Sequence, residues 1–360
     1  MFTNPLTAEA YTERLKEKKA DYRGDFFRDQ TAIIHSLPFR RLKHKTQVFF
    51  APDNDHICTR IEHVLHVATI AATICKGLNS TENWQLNTEM AFAIGLGHDI
   101  GHAPFGHSGE KALNEIFQAD VFKHEIHGLR VADQLAYDGL GLNLTFGVRD
   151  GIICHCGESD ENGIAPRLEK YQLSNINSRG SLPASYEGCI ARFADKIAYL
   201  GRDIEDAVTA GLIRLGDIPS TIRKELGSSN GEIINTLVNN MIENSAPGPA
   251  IRFSGEKHDL LLSLKKFNYD NIYKNPRIIS YENYCVKIIK AIYAHLMNEN
   301  DGELKLDRHF SEYRKKMKGL YDSENAKLER IACDYIAGMT DSYALDCMKQ
   351  ISLPLPIEFR

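Results

Sequence analysis

Histidine and carboxylate side chains crowd one stretch of the chain. Residues 97–110 read Gly97-His98-Asp99-Ile100-Gly101-His102-Ala103-Pro104-Phe105-Gly106-His107-Ser108-Gly109-Glu110. An adjacent imidazole and carboxylate are thus followed by two more histidines and a glutamate. Eight of the fourteen histidines fall between His56 and His127, which argues for a site and against scatter. Such a set can bind a divalent metal and still supply an acid and a base. The glycines in the run let backbone and ligand approach closely.

The doublet needs partners. His63 shares a helical face with Val67, Ile70 and Ile74, where a histidine requires a polar partner or a metal. A second carboxylate is best sought in 190–204, where Asp195, Tyr199, Arg202 and Asp203 recur at i, i+4, i+7 and i+8, away from the stripe Ile190, Phe193, Ala194, Ile197, Ile204. Spacing alone leaves Asp195 open between a ligand and one charge of a solvated, salt-bridged face. Two imidazoles and two carboxylates suit a six-coordinate Mn, Fe, Mg, Co or Ni ion with open water positions. Zinc usually leaves fewer open positions. Such an ion polarises a phosphoryl oxygen and lowers the pKa of water. His107 and Glu110 lie i, i+3, so Glu110 could orient His107 for general acid–base work worth ~10²–10⁴ in rate. The local alternative is a helix-capping glutamate. His102, four residues after His98, is in reach of a substrate. Cys154-His155-Cys156 is spaced too tightly for a usual zinc motif and reads as buried thiols.

The elements that position these groups read as helices. Ile61, Leu65, Ala68, Ala72 and Cys75 follow a helix repeat with Gly77 as its stop, and Leu86, Met90, Ala93 and Gly97 make a second helix running into His98-Asp99. Pro104 prevents a simple continuation, and a new helix starts near His107 or Ser108. Further helical patterns cover about 122–137, 145–155, 186–210, 231–244, 258–267, 281–298 and 323–350. No alternating series is strong enough to build a sheet, although 46–58 leaves room for short hairpins. The polar segment 157–185, Gly227–Gly231 and Ala246-Pro247-Gly248-Pro249 read as breaks. The simplest division is an all-α core over 1–215 with a C-terminal helical region, 216–360, packed on it as one continuous unit.

With 43% hydrophobic and 25% charged residues, the composition is that of a soluble globular protein. No apolar run approaches the ~20 residues of a membrane helix, and residues 1–20 lack the apolar core of a signal peptide. Eight cysteines show no disulfide framework, so a cytoplasmic location with free thiols is expected. A net charge of −5 weighs against unspecific nucleic-acid binding over the whole surface. A local basic patch, Arg40-Arg41-Leu42-Lys43-His44-Lys45, remains, and alone it reads as a solvated stretch.

Taken together, these residues resemble the HD-domain superfamily of metal-dependent phosphohydrolases, with His63, His98-Asp99 and Asp195 matching its H…HD…D ligand pattern. The run HDIGHAPFGHSGE is similar to the HDLGHPPFGHxGE of the deoxynucleoside triphosphate triphosphohydrolases, the dGTPase family. The likeness extends over nearly the whole chain. His35-Ser36 with Phe39-Arg40-Arg41-Leu42 resembles HSxxFRRL, Lys45 to Phe49 matches KTQVF, and Thr59 to His63 fits TRxxH. Phe122-Lys123-His124-Glu125 resembles FEHN, Gly141 to Thr145 matches GLNLT, and Asp334 to Asp341 matches DYIAGMTD. Val64, Ile100, Ala103 and Glu125 depart from the pattern without removing a ligand.

The resemblance implies an all-α HD-domain helical bundle that hydrolyses a dNTP, dGTP or several, to the deoxynucleoside and inorganic triphosphate. It implies His63, His98, Asp99 and Asp195 as ligands of a divalent ion (Mn, Mg, Fe or Co), whose activated water attacks the α-phosphorus. It makes His107 the general acid for the leaving 5′-oxygen, held by Glu110, with His102 and His124 along the α-phosphate. It carries phosphate and sugar contacts to Arg60, Lys196, Tyr199 and Asp203, and the 3′-hydroxyl contact to Gln47. It further implies a homo-oligomer, a tetramer or hexamer, with a nucleotide or single-stranded DNA as effector and no membrane partner. The competing readings are another HD-domain phosphohydrolase, a nucleotidase or phosphodiesterase, and a non-catalytic nucleotide-sensing or nucleic-acid-binding module.

Overall fold

The computed structural model describes residues 3–49, 56–81, 83–117, 121–157, 160, 162–245, 250–298 and 304–353. It is all-α. The described residues contain no strand and only three isolated bridges, one of which, Thr46 with Thr59, is all they show of a hairpin in 46–58. The Ala246–Pro249 break lies outside the described residues.

The central helix is Arg60–Asn79. Thr59 and Glu62 start it with a capping box, the Glu62 carboxylate accepting from the Thr59 amide at 2.7 Å. By length and composition it could cross a membrane, but half of its apolar window is buried inside the protein. Its buried stripe is His63, Val64, Val67, Ile70, Ala71, Ile74 and Leu78, while Leu65 is exposed. The helix does not stop at Gly77. A Cβ there would stand 2.3 Å from Ile242 Cδ1, so Gly77 is a packing position against the Asn230–Ser245 helix.

Against this helix pack Thr88–Gly97, capped by the Asn87 side chain, and the long Tyr186–Thr209 helix, capped by Ser185. The Phe146–Cys154 helix closes the other side of Thr88–Gly97. One apolar cluster joins Arg60–Asn79 and Tyr186–Thr209 to the helices Asn230–Ser245 and Gly255–Asn268, and so runs across residue 215. A second gathers Thr88–Gly97, Phe146–Cys154 and the N-terminal segments. The third holds the C-terminal helices Pro276–Met297, Lys305–Lys316, Leu328–Ala337 and Asp341–Ser352 against Ala103, Phe105 and the His107–Ile116 helix.

Two helical patterns are broken where the sequence reading runs on. The 323–350 stretch divides after Ala337 because Thr340 caps a new helix, accepting from the Tyr343 amide. The 122–137 stretch is α-helical over His124–Arg130 and becomes a π-turn over Val131–Leu135.

Candidate active site

The doublet His98-Asp99 emerges from the end of the Thr88–Gly97 helix. The turn after it can lie against the His124–Arg130 helix because residue 101 is glycine. A Cβ there would sit 2.2 Å from both Gly128 N and the His124 carbonyl oxygen. That close approach brings His124 to the doublet. His63 comes from the first turns of the central helix and Asp195 from the middle of Tyr186–Thr209.

Asp195 Oδ1 lies 3.0 Å from His63 Nε2 and 3.8 Å from His98 Nε2. Asp99 Oδ1 is 3.5 Å from His98 Nε2, and Asp99 Oδ2 is 4.0 Å from His63 Nε2. Asp195 is therefore turned inward and is not part of a solvated face. His98 Nδ1 lies 2.8 Å from the Gly95 carbonyl oxygen, which makes Nδ1 the protonated nitrogen. Its Nε2 is left buried and without a hydrogen-bond partner. Such an orphaned group costs ~1–3 kcal/mol. A bound cation removes that cost.

Charge states agree with this. Burial pushes the His98 pKa down to about 4, so the ring is a neutral donor near neutral pH. Burial acts upward on Asp99 and Asp195, but the neighbouring imidazoles, and Arg60 in the case of Asp99, hold both carboxyls well below their usual range. Two imidazole nitrogens and two ionised carboxylates fit a divalent cation.

Behind the doublet stands a histidine stack. His102 Nε2 is 3.3 Å from Asp99 Oδ1, and its ring lies flat on His124 with centroids 3.9 Å apart. Glu110 hydrogen-bonds His124 Nδ1 at 2.7 Å, whereas His107 Nδ1 is 3.8 Å from the same carboxylate oxygen. The His107 side chain is 72% exposed at the mouth of the cavity. Glu110 thus holds His124 directly, while His107 lies 3.8 Å from it, beyond hydrogen-bond distance; the Glu110 carboxylate does not cap the helix.

The site opens into a cavity of about 370 Å³. Of the ligand, catalytic and substrate-contact residues that the resemblance implies, His98 and Glu110 stand behind its wall and the others line it. Arg60 is buried and directed at the doublet, donating to Asp99 Oδ2 at 2.5 Å and to the Thr46 carbonyl at 3.0 Å. Lys196 pairs with Asp160, and Asp203 accepts from the Tyr273 hydroxyl. Burial pushes the Asp203 carboxyl up to about 7. Gln47 Oε1 is buried with no hydrogen-bond partner, and Tyr199 completes the wall.

Lining residues that the sequence did not assign to the site include His155, Cys156, Arg179 and Tyr273. His155 and Cys156 follow the end of the Phe146–Cys154 helix, and His155 Nε2 lies 3.2 Å from His124 Nε2. Arg179, from the polar 157–185 segment, bonds Glu125 at 2.8 Å and Glu110 at 3.3 Å. The signal for His155 was present as one more histidine at the end of an apolar helix. Arg179 and Tyr273 carried none. The basic stretch is only partly solvated: Lys45 is buried, with its ammonium on the carbonyls of His102 and Ala337.

Comparison with known proteins gives the family. The HD-domain family profile matches residues 60–200, and that of a phosphohydrolase-associated domain matches 251–350. Among curated relatives, a deoxyguanosinetriphosphate triphosphohydrolase-like protein of Caldanaerobacter subterraneus subsp. tengcongensis is 37% identical over 341 residues, 95% of this chain and 88% of that one. One from Clostridium perfringens strain SM101 is 38% identical over 349 residues, covering 95% and 90%. One from Pelagibacter ubique is 31% identical over 398 residues, covering 97% and 99%. The chain belongs to the HD-domain phosphohydrolases, in the family of the deoxyguanosinetriphosphate triphosphohydrolase-like proteins.

Proposed function

We propose that the protein hydrolyses dNTPs, dGTP or several, to the deoxynucleoside and inorganic triphosphate. One observation carries this reading. Three of the four proposed ligands, four further histidines and the side chains of Gln47, Arg60, Lys196, Tyr199 and Asp203 line one cavity, with His98 just behind its wall. His63, His98, Asp99 and Asp195 would hold a divalent ion, Mn, Mg, Fe or Co. When bound, that ion would polarise a phosphoryl oxygen and lower the pKa of water for attack on the α-phosphorus.

The chain's own groups do the rest. His107 protonates the departing 5′-oxygen, a poor leaving group for which an acid matters most. The Glu110 carboxylate stands 3.8 Å from its ring. His102 and His124 line the α-phosphate. Arg60 and Lys196 supply positive charge to the triphosphate. Gln47, whose Oε1 is unpartnered, and Asp203 hydrogen-bond the 3′-hydroxyl, and Tyr199 packs on the sugar. Close packing at the 2′ carbon excludes ribose.

The chain would work as a catalytic core over 1–215 with the 216–360 region packed on it. It would do so in the cytoplasm, where thiols such as its eight free cysteines persist. We further propose a homo-oligomer, a tetramer or hexamer, responsive to a nucleotide or single-stranded DNA. The test is incubation with each dNTP and each of Mg, Mn and Co, with products identified by chromatography. Deoxynucleoside with inorganic triphosphate is expected. A dNMP with pyrophosphate, or inorganic phosphate alone, would overturn the reading in favour of another HD phosphohydrolase.

A further inference from the structure

Beside the four-ligand cluster, a second set of donors faces one point. His124 Nε2 and His155 Nε2 are 3.2 Å apart, and Cys156 Sγ lies 3.4 Å from the first and 3.2 Å from the second. Both rings are pinned through their other nitrogen: His124 Nδ1 lies 2.7 Å from Glu110 and His155 Nδ1 lies 2.7 Å from the Ile152 carbonyl. Acceptors on both Nδ1 atoms place the ring protons there, so in the neutral rings both Nε2 lone pairs face each other. At that separation the two facing nitrogens need a cation between them, either a shared proton or a metal ion. This arrangement, with carboxylate or carbonyl behind each imidazole, is the one that orients histidine ligands on metals.

The distances fit a metal of tetrahedral habit. With zinc–nitrogen bonds of about 2.0–2.1 Å and a zinc–sulfur bond of about 2.3 Å, tetrahedral geometry sets ligand atoms ~3.4 Å (N to N) and ~3.6 Å (N to S) apart. The observed triangle is within a few tenths of an ångström of that face. All three residues line the cavity, so an ion has an entry path and an open fourth position.

We infer that His124, His155 and Cys156 form a binding site for a thiophilic divalent cation such as Zn²⁺, adjoining the four-ligand cluster and sharing none of its four residues. The thiolate sets its preference. A nitrogen–nitrogen–sulfur face selects softer ions than the two-imidazole, two-carboxylate set does. The site is next to that set, since His124 Nε2 is 3.9 Å from Asp99 Oδ1. Its occupant would compete for the imidazole lining the cavity.

Titration of the full-length apoprotein with Co(II) reads this directly, because a thiolate ligand adds a sulfur-to-cobalt charge-transfer band that nitrogen and oxygen ligands lack. The wild type is expected to take up two equivalents and show the band. Cys156→Ser should lose the band and bind one equivalent, while Asp195→Ala, which leaves all three proposed ligands in place, should keep the band. Absence of the band in the saturated wild type overturns the inference whatever any variant does. A band that survives in Cys156→Ser also overturns it, by assigning the thiolate to another cysteine.

Discussion

Asp341 lies far along the chain from His63, His98, Asp99 and Asp195, yet it fastens two of the loops that build the cavity. Its Oδ2 accepts from the Thr46 amide at 2.7 Å and the Thr46 hydroxyl at 2.5 Å, and its Oδ1 accepts from the Phe105 amide at 2.7 Å. Gln47 and His107 follow those anchored residues by one and two positions. Phe105 is held at φ +62°, a conformation that does not persist without such restraint. Asp341→Ala strands two backbone N–H groups, each worth ~1–3 kcal/mol when left unpaired, and removes a charge-assisted hydroxyl bond; with Thr46 only part-buried the low end of each applies, a total of about 3–5 kcal/mol. For 360 residues the unfolding entropy is about 0.8 kcal/mol per degree, so Tm should fall by about 4–6 °C. Asp341→Asn keeps one accepting oxygen but turns an amide against a donor, and should fall by roughly half as much. Calorimetry of the metal-free proteins measures this, with kcat measured alongside. The expected order is wild type, Asn, Ala in both quantities, with metal uptake retained. An alanine variant melting within about 1 °C of wild type would refute the claim that these bonds hold the loops.

Three further outcomes follow from the same geometry. His107→Ala should keep its metal but lose turnover by about 10²–10⁴, read as kcat beside metal analysis; full activity would mean that another group is the acid. Asp195→Ala should lose its four-ligand metal by elemental analysis, because its inward carboxylate contacts both His63 and His98. Asp203 is pushed up to about 7 by burial, above an unfolded value near ~3.9, so its contribution to stability is complete below that lower value and is lost as pH rises through about 7. Asp203→Asn should therefore lose less Tm than wild type between about pH 6 and about pH 8. Equal losses would place the titration elsewhere.

The helices were legible because their apolar stripes are long. The patterns over 145–155, 186–210, 231–244 and 258–267 became Phe146–Cys154, Tyr186–Thr209, Asn230–Ser245 and Gly255–Asn268. Boundaries set by tertiary contact were not legible. Gly77 looked like a stop and is a packing position against Ile242. Within the site, the His98-Asp99 turn announced itself, since its residues are adjacent in the chain. Asp195 did not, because a carboxylate on a helix reads alike whether it faces solvent or His63. The i, i+3 spacing tied Glu110 to His107, but the hydrogen bond goes to His124, fourteen positions on, which is buried while His107 is exposed. His155 and Cys156 were passed over because three adjacent residues cannot close a zinc motif by themselves. Their partner His124 comes from a different helix.

The proposed reaction cleaves the bond between the α-phosphorus and the 5′-oxygen. Hydrolysis in water enriched in heavy oxygen, with mass analysis of both products, is the sharpest test. One labelled oxygen is expected in the inorganic triphosphate and none in the deoxynucleoside. Label in the deoxynucleoside hydroxyl, or in a released nucleotide or pyrophosphate, would contradict it.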